Sequence, residues 1–121
     1  MKVMLLCYDD EAFWERQGQD ALHAAMQEAV QLTRELHAKG QYLLASPLHP
    51  VATASSVRVR DGKRHITDGP FAETREVLGG FYLLDVKDMD EAIEIAARHP
   101  GARHGGVEVR PVLEIQGLPK N

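Results

Sequence analysis

Asp68 stands first among the side chains able to do chemistry. It precedes Gly69-Pro70, a turn pair able to aim a carboxylate into a cleft. A carboxylate there can serve as a general base or orient a substrate hydroxyl. The same residue also fits an Asx-turn, in which the side chain accepts backbone N–H groups and only shapes the loop. Gly69, Pro70, Phe71 and Glu73 follow it and would touch whatever ligand the loop approaches. Glu73, Thr74 and Glu76 read as the start of a short helical turn; two acids so close could also hold a cation, but no histidine stands at a ligand spacing beside them. Gly79-Gly80 lets the backbone enter a central strand or approach a ligand closely.

The histidines are the second group. His23 falls on a helix flank, where it is either a plain boundary residue or part of a site beside a dimer seam. His49, between Leu48 and Pro50, lies in a loop and could reach a pocket. A catalytic set would pair Asp68, as acid or base, with His23 or His49. His99 and His104 bracket Pro100-Gly101-Ala102-Arg103. His99 suits the negative end of a helix, while Arg103 and His104 together could bind an anion. No zinc spacing, phosphate loop or dinucleotide fingerprint is present, so neither a metal nor a tightly bound cofactor is expected.

These residues must be held by a small set of elements. Residues 2–8 form a strand with Val3, Leu5 and Cys7 on one face and Met4, Leu6 and Tyr8 on the other, ended by the acidic run Asp9, Asp10, Glu11. Residues 20–39 form a helix, with Leu22, Ala25, Met26, Ala29, Thr33 and Leu36 as its stripe, Asp20 as N-cap and Gly40 as a left-handed C-cap. A strand over 41–46 stops before Pro47. Residues 57–66 form a hairpin whose Asp61-Gly62 tip supplies a type I′ turn, pairing Val57 with Ile66 and Arg58 with His65. A loop spans 68–80, and a strand runs from Phe81 to Val86. A helix follows, with Asp88 and Glu91 in a capping box and Pro100 as its stop. A final strand over 106–115 turns Val107 and Val109 inward.

The order β-α-β, inserted hairpin, β-α-β is a ferredoxin-like split plan within an α+β class. The first and third core strands are apolar on both faces, as the central strands of that plan should be, and the fourth alternates, as an edge strand should. Two helices cover only one face of such a sheet. At roughly 25 cal/mol per Å² of apolar surface, leaving the other face wet costs several kcal/mol. The expected cover is a second copy, sheet against sheet about a two-fold axis; the alternative is the hairpin or the C-terminal tail folding over that face.

Composition narrows the function. The 121 residues fit one domain, and 44% hydrophobic with 26% charged residues is an ordinary globular balance. The net charge of -4 and the absence of a long basic block argue against nucleic acid; Arg58, Arg60, Lys63 and Arg64 cluster only around the hairpin tip. No apolar run approaches the roughly 18 residues that span a bilayer. One cysteine, Cys7, excludes an internal disulfide, and a soluble protein of a reducing cytoplasm is expected.

The segment DGPFAETREVLGGFYLLDV, Asp68 to Val86, resembles the signature of the DGPF branch of the YCII-related family, with flanking likenesses in MKVMLLCYDDE, VRVRDGK and ARHGGVEVRPV. The resemblance covers nearly the whole chain. It implies the dimeric α+β barrel group, a mostly unassigned activity, relatives acting on small ring-derived metabolites, and association with alternative sigma factors. It also implies a His–Asp pair in some members. The His position is Ala29 here, eleven residues before Gly40, and the Asp position, just before a proline, is His99. Three readings follow. The chain is a small-molecule enzyme on a polar metabolite, a ligand-binding or regulatory domain linked to a sigma factor, or a purely structural dimer. An enzyme should bring Asp68 and a histidine together in one concave site.

Overall fold

The computed structural model describes residues 1–119, so the last two residues of the expected domain lie outside the described residues. Eleven elements follow one another. They are β1 (Lys2–Asp9), α1 (Glu11–Gln17), α2 (Gln19–Ala38), β2 (Tyr42–Pro47), a 3-10 turn (Val51–Thr53), β3 (Ser55–Arg60), β4 (Lys63–Asp68), β5 (Val77–Asp85), α3 (Met89–Arg98), α4 (Gly101–His104) and β6 (Gly106–Pro111). The central sheet is antiparallel in the order β2-β5-β1-β6, and β3 with β4 forms a two-stranded sheet of its own. This is the ferredoxin-like α+β plan, with β1 and β5 central and β6 at an edge.

Local chemistry sets the element ends. Gly40, at φ +73°, terminates α2 in a Schellman motif: Gln41 N–H donates to Leu36 O at 2.9 Å and Gly40 N–H to His37 O at 3.0 Å. Asp88 caps α3 by accepting from Glu91 N at 2.9 Å, and the Glu91 carboxylate in return accepts from Lys87 N. The hairpin has the register Val57↔Ile66 and Arg58↔His65, with Asp61 and Gly62 both at positive φ.

Several boundaries differ from the sequence expectation. Gly18, not Asp20, sits at the start of α2. Strand β5 begins at Val77, inside the expected loop. The acidic run after β1 does more than end a strand: Asp10 accepts from Ala12 N at 3.0 Å and caps α1. The last strand stops at Pro111 because its partner β1 runs out at Lys2. The buried stripe of α2 holds Leu32 and Leu36, whereas Leu22 and Met26 are exposed.

The core lies between the helices and one face of the sheet. Val3, Leu5, Tyr82 and Leu84 of the sheet pack with Leu32 and Leu36 of α2, Ala92, Ile95 and Ala96 of α3, and Val86. Val107 and Val109 pack against this cluster from β6. Each fully buried leucine contributes about 2 to 3 kcal/mol of transfer free energy. No helix among the described residues is long and apolar enough to cross a membrane.

Candidate functional site

The candidate site lies where β1 leaves the core. Asp9 ends β1 half-buried, and its Oδ2 accepts from the indole Nε1 of Trp14 at 2.7 Å. Trp14 is the single tryptophan of the chain, carried by the short helix that Asp10 caps. Two glycines make room here, Gly79 for the carboxylate and Gly105 for the backbone of β1. The pairing of β1 with β5 steps from Cys7↔Gly80 to Tyr8↔Leu78, which leaves Gly79 as the bulged residue. A Cβ on Gly79 would stand 3.1 Å from Asp9 Oδ1. On the other side a Cβ on Gly105 would stand 2.1 Å from Tyr8 O and 2.9 Å from Asp9 Cα. Any side chain at Gly105 would push β1 away.

An aromatic wall stands beside Asp9. The His104 ring of α4 stacks on Phe13 (centroids 4.9 Å, planes 26° apart) and meets Trp14 edge-on at 5.4 Å. Phe13 and Trp14 are also edge-to-face, at 5.2 Å. The wall borders a depression of about 200 Å³ lined by Asp10, Phe13, Arg16, Arg75, Glu76 and His104. Arg75 Nε donates to Asp10 Oδ2 at 3.0 Å, so the loop after the hairpin is tied to the start of α1. The site thus joins a flat apolar wall to charges of both signs.

The electrostatics separate the two neighbouring acids. The hydrogen bond from Arg75 holds the Asp10 carboxyl below the usual carboxylate range. Burial pushes Asp9 the other way, above its ordinary value; the bond from Trp14 opposes this, and the charges of Glu11, Asp10 and Glu76 add to it. Two adjacent carboxylates pushed apart in this way can divide acid and base roles. Burial, and the charge of Asp9, raise the Cys7 thiol to about 11, so Cys7 is a neutral neighbour rather than a nucleophile.

The residues singled out from sequence fall in several places. Asp68 ends β4 and is exposed; among the described residues its carboxylate makes no hydrogen bond. The turn after it is held instead by Gly69 N–H donating to Ala54 O at 2.7 Å and by Ser56 Oγ donating to Gly69 O at 2.7 Å. Pro70 is partly buried, Glu73 is exposed, and Phe71 is exposed with the Arg58 guanidinium 4.6 Å above its ring. Thr74 and Glu76 form no helix; Thr74 Oγ1 donates to Glu76 O. His23 lies exposed on α2, and His49 lies exposed before the 3-10 turn. Neither borders the depression, and within the described residues no hydrogen bond joins Asp68 to a histidine. Arg103 is held away from His104 by two bonds to the Glu28 carboxylate, at 2.9 and 2.7 Å. Of the expected set, the structure brings His104 to the Asp9 site.

The positions of the resemblance's His–Asp pair lie at the α2–α3 seam. His99 Nδ1 accepts from Gly101 N at 2.9 Å, and its ring meets Tyr82 edge-on at 5.5 Å. Tyr82 in turn hydrogen-bonds Thr33 Oγ1, which donates to Ala29 O at 2.7 Å. Burial lowers the His99 pKa, keeping the ring neutral. Among the described residues no three metal-ligating side chains converge.

Asp9, Phe13, Trp14 and Arg75 were not legible as a site, because three separate segments build it. The available signal was the run Asp9-Asp10-Glu11-Ala12-Phe13-Trp14, which places the only tryptophan five residues after an acid.

Fold and site together define a ferredoxin-like α+β domain with a half-buried carboxylate at the end of its first strand. The YCII-related domain model matches residues 1–116, and the chain belongs to the YCII-related family. It is similar to an uncharacterized protein of Rhizobium meliloti (strain 1021), 33% identical over 114 residues, covering 93% of this chain and 92% of the relative.

Proposed function

We propose that this chain is a homodimeric domain that binds and acts on a small polar metabolite, with Asp9 as its acid–base group. The Asp68-Gly69-Pro70-Phe71 motif supports a place in the DGPF branch of its family, and the lone cysteine supports a reducing, cytoplasmic setting. The observation that carries the reading is Asp9 itself. Its carboxyl has raised proton affinity and is fixed by the Trp14 indole N–H. Asp10 rather than Asp9 lines the depression; Asp9 is linked to it through Trp14, which meets the Phe13 and His104 wall edge-on, and this supports an acid–base role. Asp68, with its carboxylate unspent, is the second acid assigned to the ligand. The dimer is supported by the open face of the sheet. Met4, Leu6, Phe81 and Leu83 form its apolar centre, while Lys2, Asp85, Glu108 and Arg110 form a charged rim, the anatomy of an interface.

Trp14 supplies the test, since its emission reports on the group it bonds. Its fluorescence should follow one proton step above the ordinary carboxylate value of about 3.9, and Asp9→Asn should abolish that step. Small hydroxy acids, keto acids and lactones added to the wild type should move the same signal if they enter the depression, and His104→Ala should weaken that response. Emission that is flat with pH and identical in Asp9→Asn would refute the acid–base reading.

A further inference from the structure

The β3–β4 hairpin is a separate two-stranded sheet, and a lone hairpin is marginally stable at best in water. Its two faces differ. The register places Val57, Val59 and Ile66 on one face, 52%, 58% and 60% exposed, with Arg64 opposite Val59 at the tip end of that face. Arg58, Arg60, Lys63 and His65 occupy the other face. Within the two strands only Ser56 is buried, at the base. Three β-branched apolar side chains aligned on one face and left wet mark a surface that expects a cover.

The same chain carries a second uncovered apolar surface, the open face of the central sheet. Its margin is Leu44 of β2, which pairs with Leu83 and is 51% exposed. We infer that the hairpin is an exchanged arm: in the dimer its apolar face lies over the β2 margin of the open sheet of a second copy of this chain. The inference rests on the dimer reading above and says what completes that dimer.

Area and charge favour a second copy as the occupant. The open sheet is four strands wide, and an arm from each copy adds two further strands to the contact between them. The arm is also basic, with four cations over residues 57–66 against the single acid Asp61, in a chain of net charge -4. A basic arm on an acidic body attracts another copy of that body. Asp68, on the same face as Ile66, then sits at the rim of the seam.

The experiment is sedimentation of the full chain, wild type and the triple variant Val57→Thr, Val59→Thr, Ile66→Thr, which keeps strand propensity and removes the apolar face. The wild type should be a dimer at micromolar concentration. The variant should keep its circular dichroism and show a dimer dissociation constant about tenfold weaker or more, a change of the size that losing three apolar contacts produces. An unchanged constant overturns the arm and leaves the dimer standing, whereas a monomeric wild type overturns both. Should the variant misfold, hydrogen exchange on the wild type decides. Amides of residues 57–66 must become more protected as protein concentration rises through the dimerisation range, and concentration-independent exchange sinks the arm.

Discussion

The two faces of the central sheet are made of the same strands and nearly the same residue types, yet they have opposite fates. Along β1 and β5, Val3, Leu5, Tyr82 and Leu84 are buried, while their alternating neighbours Met4, Leu6, Phe81 and Leu83 are only half covered. Apolar character therefore does not decide burial here; topology does. Both long helices return on one side, because strand-to-strand crossovers in a twisted sheet share one hand. Leu84→Ala should break the covered face, costing about 3 to 4 kcal/mol as its neighbours cannot collapse into the gap. That corresponds to a fall in Tm on the order of 10 to 15 °C for a domain of this size. Leu83→Ala, one residue away, should cost the dilute protein less than about 1 kcal/mol while weakening self-association. Equal thermal losses for the pair would mean that the faces do not differ in cover.

The sequence showed this contrast as pattern before the structure gave it a side. Strands apolar on both faces, the Asp61-Gly62 turn and the Gly40 cap rest on short-range chemistry, and all three were legible. Helix α1 was not, because it is seven residues long with no fully buried position, so no stripe announces it. The face of α2 was legible in part: Leu36 is buried and Ala25, Ala29 and Thr33 are half-buried, but Leu32 takes the place of Leu22 and Met26, which with Val30 make a second, exposed apolar row. Two candidate rows give a periodicity without a direction. The Asp9 site needed Trp14 from α1, Gly79 from a β-bulge and Gly105 from the turn before β6. Nothing within any one of these segments reveals the other two.

His99 sharpens the comparison from beneath the covered face. It lies against Tyr82, and its Nδ1 accepts a backbone N–H, a role that protonation removes. Burial lowers its pKa in the fold. Its contribution to stability is therefore present above the unfolded value of about 6.5 and lost as pH falls through the lower folded value. Thermal melts between about pH 7.5 and pH 5.5 should show a decline of a few °C. His99→Asn, which keeps an acceptor for Gly101 but does not titrate, should flatten it. A slope unchanged in this variant would assign the decline to other groups.

The smallest effect belongs to Asp9, where the covered face frays into the site, and its sign runs against ordinary mutagenesis. The folded protein holds the Asp9 proton more tightly than the unfolded chain does, chiefly through burial. The stabilisation linked to that proton is complete below the unfolded carboxylate value and is lost as pH rises through the folded one. At neutral pH the ionised, half-buried carboxylate is then a cost, offset in part by the Trp14 indole. Asp9→Asn removes the charge and still offers Trp14 an acceptor, through a weaker neutral bond. Its Tm at neutral pH should match or exceed the wild type by about 1 to 2 °C, and the gain should vanish near pH 4. A residue whose loss stabilises the fold while abolishing the Trp14 proton step is kept for chemistry rather than for architecture. Were Asp9→Asn instead to destabilise the protein equally at both pH values, Asp9 would be a structural acceptor for Trp14, and the active end of this domain would have to be sought at Asp68.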